Sequence, residues 1–223
     1  MKRELITTAD GSHTLYLPEM DEHYHSRHGA IQESRHVFID KGYCFTAKDI
    51  DPLNILEVGW GTGLNALLTL VESDAVSRKV HYVAVEPYPL EKELYEQLNY
   101  GDLLEHGKAG MYLRQMHEKS WNFPYYISEH FILHKLQSSF QETALQPGMF
   151  HLIYYDAFAP GKQEDMWSKE HFAKCFEALQ KDGVLVTYSS KGQVKRDLAD
   201  AGFSVTKLEG PKGKREMLRA VKQ

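Results

Sequence analysis

Three acidic residues close apolar runs, positions where a carboxylate is free to do chemistry. Glu57 sits in Asn54-Ile55-Leu56-Glu57-Val58-Gly59, Glu86 follows Val80-His81-Tyr82-Val83-Ala84-Val85, and Asp156 follows Leu152-Ile153-Tyr154-Tyr155. A carboxylate at the mouth of a sheet can orient an ammonium, accept hydroxyls or take up a proton. Behind the first of them comes Gly59-Trp60-Gly61-Thr62-Gly63, with a glycine at every second position. Glycine weakens strands and helices by roughly 0.5–1 kcal/mol against alanine. Three of them here imply a sharp turn and a close backbone approach, and a nucleoside lying against the turn accounts for all three. Glu86 is then placed to accept both ribose hydroxyls, and a buried Glu57 needs a polar partner. Each carboxylate also has a plain structural reading: Glu57 caught by backbone amides, Glu86 as a solvated strand end, Asp156 as a cap or turn former.

Two ligand classes use such a turn. Gly61-Thr62-Gly63-Leu64-Asn65-Ala66 fits the dinucleotide pattern G-x-G-x-x-A, so NAD is one. Glu57-Val58-Gly59-Trp60-Gly61-Thr62-Gly63 instead resembles the first motif of class I S-adenosylmethionine-dependent methyltransferases. There the acidic residue orients the methionine ammonium, directly or through water.

These residues must be held by alternating elements. The pattern predicts strands over 54–59, 79–87, 130–137, 149–158 and 183–190. It predicts helices over 64–73, 90–98, 166–180 and 192–201, a short helix near 138–144, and an irregular helical insertion near 99–125. Phe172, Cys175, Phe176 and Leu179 form the apolar stripe of the third long helix. Asp51-Pro52 is a breaker. Residues 203–210 and 214–221 face each other as a closing hairpin. At the other end, Asp10-Gly11 predicts a β-hairpin, followed by a polar, His-rich stretch of loop and short helix. The alternation implies an α/β fold, a mostly parallel sheet covered on both faces and doubly wound. Residues 1–50 are expected to form an N-terminal extension packed on a Rossmann-like domain over 51–223.

The composition is that of a soluble globular chain: 223 residues, 42% hydrophobic, formal net charge −5. No apolar run approaches the roughly 18–20 residues of a membrane span, and the N-terminus lacks the apolar stretch of a secretory signal. Cys44 and Cys175 have no CxxC spacing and read as reduced and structural, consistent with a cytoplasmic protein. His23, His25 and His28 have no metal-ligand spacing, so no metal is expected; they read as loop polarity, or as one histidine lining the pocket. Charge is unevenly spread. Residues 191–223 hold nine Lys/Arg and four Asp/Glu, which makes this tail +5 and the remainder −10. Such an asymmetry points to an acidic partner at the basic end, with a solvated basic face as the plainer reading.

Further motifs resemble one family closely. Asp156-Ala157-Phe158-Ala159-Pro160 with Asp165-Met166-Trp167 is similar to the D-G-F-A-P and D-M-W elements of the MnmC-like methyltransferases. These form the methyltransferase part of tRNA 5-methylaminomethyl-2-thiouridine biosynthesis proteins. Gly59-Trp60-Gly61-Thr62-Gly63-Leu64-Asn65 matches their G-F-G-T-G-L-N, and Lys214-Arg215-Glu216-Met217 their K-R-E-M. Tyr24, Ser26, Gly29, Glu33, Val37 and Phe38 match an upstream pattern. Ala157 departs from glycine, and no acidic residue for the adenine stands out in Leu133-His134-Lys135-Leu136-Gln137.

The resemblance implies a class I fold with a seven-stranded sheet and a C-terminal antiparallel hairpin. It implies S-adenosylmethionine as cofactor, held by Glu57, Gly59, Gly61, Thr62, Gly63, Asn65, Glu86, Pro87 and Asp156. It implies methyl transfer to the 5-aminomethyl group of a wobble uridine, with Asp156 catalytic. Tyr24, Ser26, Glu33, Phe158, Pro160, Lys162, Lys191, Lys214 and Arg215 would meet the tRNA, through its anticodon stem-loop. A separate enzyme would supply the aminomethyluridine. Phe158, Tyr155 and Trp167 are candidates to stack on the base, with core packing the expectation for at least one of them. The alternatives are a methyltransferase for a small-molecule or protein amine, and a nucleoside-binding module or NAD oxidoreductase.

Overall fold

A computed structural model of the protein describes residues 2–46 and 50–223; Met1 and residues 47–49 of the expected N-terminal extension lie outside the described residues. The chain begins with β1 (Glu4–Thr7), β2 (His13–Leu17) and β3 (Glu22–His23), a small antiparallel sheet. The Asp10-Gly11 turn joins its first two strands, as the sequence predicts. The next segment is more helical than its polarity suggests. It runs from α1 (Ala30–Ser34) through a π-helical stretch (Arg35–Tyr43) into α2 (Cys44–Thr46), and buries Val37, Phe38, Ile39 and Tyr43. Val37, Phe38 and Ile39 are consecutive and flanked by Arg35, His36, Asp40 and Lys41, so no 3.6-residue stripe marks the buried face in a reading of polarity.

Then come β4 (Leu53–Val58), α3 (Leu64–Ala75), β5 (Val80–Val85), α4 (Lys92–Tyr95), α5 (Tyr100–Leu103) and α6 (Ala109–Glu118). They are followed by β6 (Pro124–Tyr126), β7 (Phe131–Leu136), β8 (Phe150–Tyr155), α7 (Lys169–Ala178), β9 (Leu179–Thr187), α8 (Gly192–Asp200), β10 (Phe203–Glu209) and β11 (Glu216–Lys222). The strand order of the main sheet is β10-β11-β9-β8-β4-β5-β7-β6. β7, β5, β4, β8 and β9 are parallel, and β10–β11 form the expected antiparallel hairpin. Seven strands follow the expected class I arrangement, and β6 adds an eighth, antiparallel to β7, inside what the sequence suggests is a helical insertion.

Three element boundaries differ from expectation. No helix forms near 138–144: the chain makes a single turn, Thr143 N to Ser139 O at 3.1 Å, with Ser139 Oγ capping it by accepting from Glu142 N, and no second turn follows. The predicted helix 166–180 is shorter. Ser168 caps it, and Leu179 already belongs to β9. Only Lys92–Tyr95 of the predicted helix 90–98 is helical. Cys175 is buried as expected, but Cys44 is exposed and so is not part of the core.

Strand periodicity sorts the core into two layers. Leu53, Ile55, Tyr82, Ala84, Leu152 and Tyr154 pack under α3 and the N-terminal helical segment. Leu56, Val58, Val83, Val85, Ile153 and Tyr155 face α7 and α8. Residues 57, 86 and 156 continue the first set, so all three carboxylates share the α3 side of the sheet. The chain turns from β4 toward β5 in one direction and from β8 toward β9 in the other. The crevice between β4 and β8 is therefore the switch point, where α/β sheets bind ligands.

The glycine turn sits there. Gly59 has φ +93°, and a methyl group on it would lie 2.5 Å from the Asp156 carbonyl oxygen. Gly63, at φ +75°, starts α3, with the Trp60 ring 2.7 Å from where its Cβ would be. The glycines thus bring the turn against the protein's own β8 exit and Trp60 as well as against a ligand. Gly59→Ala combines a disfavoured φ with a backbone clash. It should lower unfolding free energy by at least about 2 kcal/mol in a denaturant titration; a midpoint matching the parent protein would contradict this packing.

Candidate functional site

A cavity of about 730 Å³ opens at the switch point. Its floor is the glycine turn, the Glu86–Tyr88 loop and the Ser139–Glu142 turn. Its roof is the N-terminal segment around Tyr24–Arg27, with Glu33 and Ser34 of α1. Asp156 stands where the two halves meet. Its backbone N–H donates to Val58 O at 3.0 Å, which fixes the β8 exit beside the β4 exit.

One amide joins two carboxylates. Asn65 Nδ2, on the first turn of α3, donates to Glu57 Oε1 at 2.9 Å and to Asp156 Oδ2 at 2.8 Å. Glu57 is fully buried and reaches the cavity only through Asn65. Burial drives its carboxyl well above the usual carboxylate range, against the Asn65 hydrogen bond and with the nearby Asp156 charge adding to the rise. Burial also pushes Asp156 up to about 7, opposed by Asn65 and Lys214 and reinforced by Glu33. Glu57 Oε2 and Asn65 Oδ1 have no hydrogen-bond partner among the described residues, nor has Trp60 Nε1.

Glu86 is held differently. Its Oε2 accepts from Gly61 N at 3.2 Å and its Oε1 from Tyr88 N at 2.9 Å. Burial raises its pKa despite these two amides. Each carboxylate oxygen retains a lone pair for a hydroxyl. From behind, His117 Nε2–H donates to Thr62 O at 3.0 Å, and the buried Lys135 Nζ donates to His117 O at 3.1 Å. The helical insertion thereby braces the turn.

The roof is pinned by Arg3. Its Nε donates to Tyr24 Oη at 3.0 Å, and its other nitrogens reach Tyr88 O at 2.9 Å and Glu91 Oε2 at 2.9 Å. Tyr24 meets Phe158 edge-on, with centroids 5.2 Å apart, and lies over Gly61. Lys214 Nζ donates to Glu33 Oε1 at 2.6 Å and sits 3.9 Å from the Tyr188 ring centre, while Glu33 Oε2 accepts from Ser26 N at 2.8 Å.

Tyr24, Ser26, Glu33, Gly59, Gly61, Thr62, Asn65, Glu86, Pro87, Asp156, Phe158 and Lys214 all line this one cavity. Glu57 and Gly63 lie just beneath its floor. Pro160, Lys162, Lys191 and Arg215 do not line it. Lys162 is exposed, with Nζ 3.9 Å from Asp21 Oδ2. Lys191 is exposed and reaches Gly161, and Arg215 is exposed in the β10–β11 turn. Of the aromatic candidates, only Phe158 faces the cavity; Tyr155 and Trp167 pack into the core beneath α7, where Trp167 Nε1 donates to Phe158 O at 2.7 Å.

Sequence reasoning missed Arg3 and Tyr188, whereas His23 and His25 line the cavity, in keeping with the reading of a histidine in the pocket. Arg3 gives no local signal, because Tyr24 lies 21 residues away and its partners at 88 and 91 more than 80. It also missed the Ser139–Glu142 turn, which carries Glu142 to the cavity floor. Among the described residues no group of three His, Cys, Asp or Glu side chains is arranged to hold a metal ion.

The raised Asp156 pKa has a consequence for stability. The group ionises near 3.8 when unfolded and near 7 when folded. Between those values the folded state binds more protons, so stability falls as pH rises from about 4 to about 7. Asp156→Asn should flatten that slope in melting-temperature profiles and raise the melting temperature above about pH 7, with Glu57 leaving a residual slope of the same sign. Superimposable profiles would refute the burial assigned to Asp156.

The comparisons agree with this geometry. Residues 133–223 match the model of a family described as S-adenosyl-L-methionine-dependent methyltransferase. The bifunctional tRNA 5-methylaminomethyl-2-thiouridine biosynthesis protein MnmC of Cupriavidus metallidurans is 30% identical over 237 residues, covering 96% of this chain and 33% of that protein. Its counterpart in Burkholderia multivorans is 28% identical over 222 residues, covering 92% and 33%. The chain thus spans about a third of the length of these curated relatives. Among solved structures, MnmC2 from Aquifex aeolicus superimposes with a TM-score of 0.79 at 26% identity, covering 98% of this chain and 70% of that one. Spermidine synthase from Thermotoga maritima shares the fold, at a TM-score of 0.58 and 14% identity. The orphaned polar atoms around Asn65 and the glycine floor fit an adenosyl cofactor carrying an amino acid tail, and the NAD alternative is not favoured. Over nearly its whole length the chain is similar to the MnmC-like S-adenosylmethionine-dependent methyltransferases.

Proposed function

We propose that the protein transfers a methyl group to the 5-aminomethyl nitrogen of a wobble uridine in tRNA. The observation that carries this reading is the position of Asp156, at the junction of a glycine-floored half and a roofed, aromatic half of one cavity. When bound, S-adenosylmethionine supplies an electrophilic methyl carbon on a sulfonium sulfur. Glu86 and the glycine turn would hold its ribose, and Asn65, backed by Glu57, its amino acid end. The Ser139–Glu142 turn, on the same floor, would meet its adenine.

The acceptor amine must present a free lone pair. A free alkylamine titrates near 10, so deprotonation at pH 7 costs on the order of 4 kcal/mol. Asp156 accepts a hydrogen bond from the amine, aims its lone pair and takes up the released proton directly or through water. Alignment of this kind is worth several kcal/mol. Tyr24 and Phe158 offer ring faces and edges to a base lifted from the anticodon loop, which costs less than flipping one from a duplex. Lys162, Lys191, Lys212 and Arg215 are exposed and track phosphates of the anticodon stem-loop. The reaction belongs to the cytoplasm, and a separate enzyme supplies the aminomethyl group. No helix among the described residues is long and apolar enough to cross a membrane.

Mass analysis of wobble nucleosides tests the reading. Unmethylated tRNA incubated with protein and S-adenosylmethionine should gain one methyl on the aminomethyluridine, and bulk tRNA that gains none would refute it. Asp156→Asn should slow transfer by about 100-fold at saturating cofactor; an unchanged rate would remove Asp156 from the chemistry. Affinity for tRNA should fall steeply as salt rises, and Lys191→Ala with Arg215→Ala should reduce the salt slope by about two.

A further inference from the structure

The roof carries a polar group that the chemistry above does not use. His25 lines the cavity within the acceptor half. Its Nδ1 lies 3.0 Å from Thr14 Oγ1, and its own backbone N–H donates to the same oxygen at 3.0 Å. Thr14 is fully buried on β2, and its hydroxyl hydrogen has no other acceptor among the described residues. Satisfying that hydrogen requires Thr14 O–H to donate to Nδ1. The ring proton is then on Nε2. Nε2 is the edge of the ring away from Thr14, it has no protein partner among the described residues, and it is not sealed in the core. Nearby in the same half, Ser34 Oγ is buried, lines the cavity and is likewise unpartnered.

Charges around the ring do not favour an imidazolium. Burial lowers the His25 pKa to about 4, with Glu33 and Asp10 opposing and Lys214 assisting. The Tyr100 ring packs edge-on at 6.5 Å and adds no charge. His25 is therefore a neutral N–H donor of fixed direction.

We propose that His25, locked by Thr14 as the Nε2–H tautomer, is a specificity-determining residue that donates a hydrogen bond to a carbonyl oxygen of the acceptor base. This rests on the reading of the cavity as a nucleobase site. A uracil presents a carbonyl beside the carbon that bears the aminomethyl group. A cytosine presents an amino group there, whose own N–H would face the Nε2–H. A fixed donor accepts the first and rejects the second, because the mismatched pair leaves buried polar groups unsatisfied. Thr14 matters because a free imidazole would exchange tautomers and accept either.

Two measurements test this. Long-range proton–nitrogen correlation spectra of histidine-labelled protein read the tautomer without any substrate. The expected result is neutral Nε2–H at pH 7, and Thr14→Val should erase the preference. In kinetics with tRNA as the varied substrate, His25→Ala should raise KM about tenfold. kcat and S-adenosylhomocysteine affinity should stay within about twofold of the parent, and His25→Gln, which keeps a donor near the Nε2 position, should recover most of the loss. An Nδ1–H tautomer, an imidazolium at neutral pH, or an unchanged KM in an active His25→Ala would overturn the proposal alone. Failure of the unmutated protein to methylate tRNA would overturn it together with the reading it rests on.

Discussion

Two carboxylates share one amide, and the rest of the site is arranged around that sharing. Asn65 spends both of its N–H groups on Glu57 and Asp156. Neither carboxylate could be left in this crevice unaided, since an unpaired buried charge is costly. The amide does not cancel the penalty; it divides a modest relief between them, so both groups retain raised pKa values. That is a useful state for a group meant to bind an ammonium or accept a proton. The same side chain leaves its own oxygen unpartnered, so each end of the arrangement has capacity for a ligand. Placing Asn65 requires α3 to start at Gly63, and the left-handed turn before it requires the glycines.

Much of this was legible in the sequence. Short apolar runs at Leu53–Val58, Val80–Val85 and Phe150–Tyr155 give the parallel strands, and the carboxylate at the end of each run gives the edge they share. The turn residues announce themselves because glycine is expensive anywhere else. The Asp10-Gly11 hairpin and the closing β10–β11 pair follow from short, ordinary rules.

What was hidden is long-range. Arg3 looks like an N-terminal surface cation, and only the fold shows that it clasps a loop in the middle of the chain. Tyr155 and Trp167 are aromatic residues near an acidic strand end, and spacing alone does not say which face each takes; parity in β8 puts Tyr155 opposite Asp156. The helical segment after Ala30 buries its apolar residues at a π-helical stretch, where a 3.6-residue period fails. The turn at Ser139–Glu142 resembles a short helix in composition, and it has a helix's cap at Ser139 but only one turn behind it.

The clasp made by Arg3 also bears on how the molecule assembles. Its bonds to residues 88 and 91 close a loop of more than 80 residues, and loop closure of that length is deferred until much of the intervening chain is ordered. The parallel strands can form their ladder without it. The crevice gains its full ceiling only when the N-terminal segment folds back onto residues 88–99 and Lys214, so a chain nicked in that segment could hold a complete sheet and still lack an enclosed chamber.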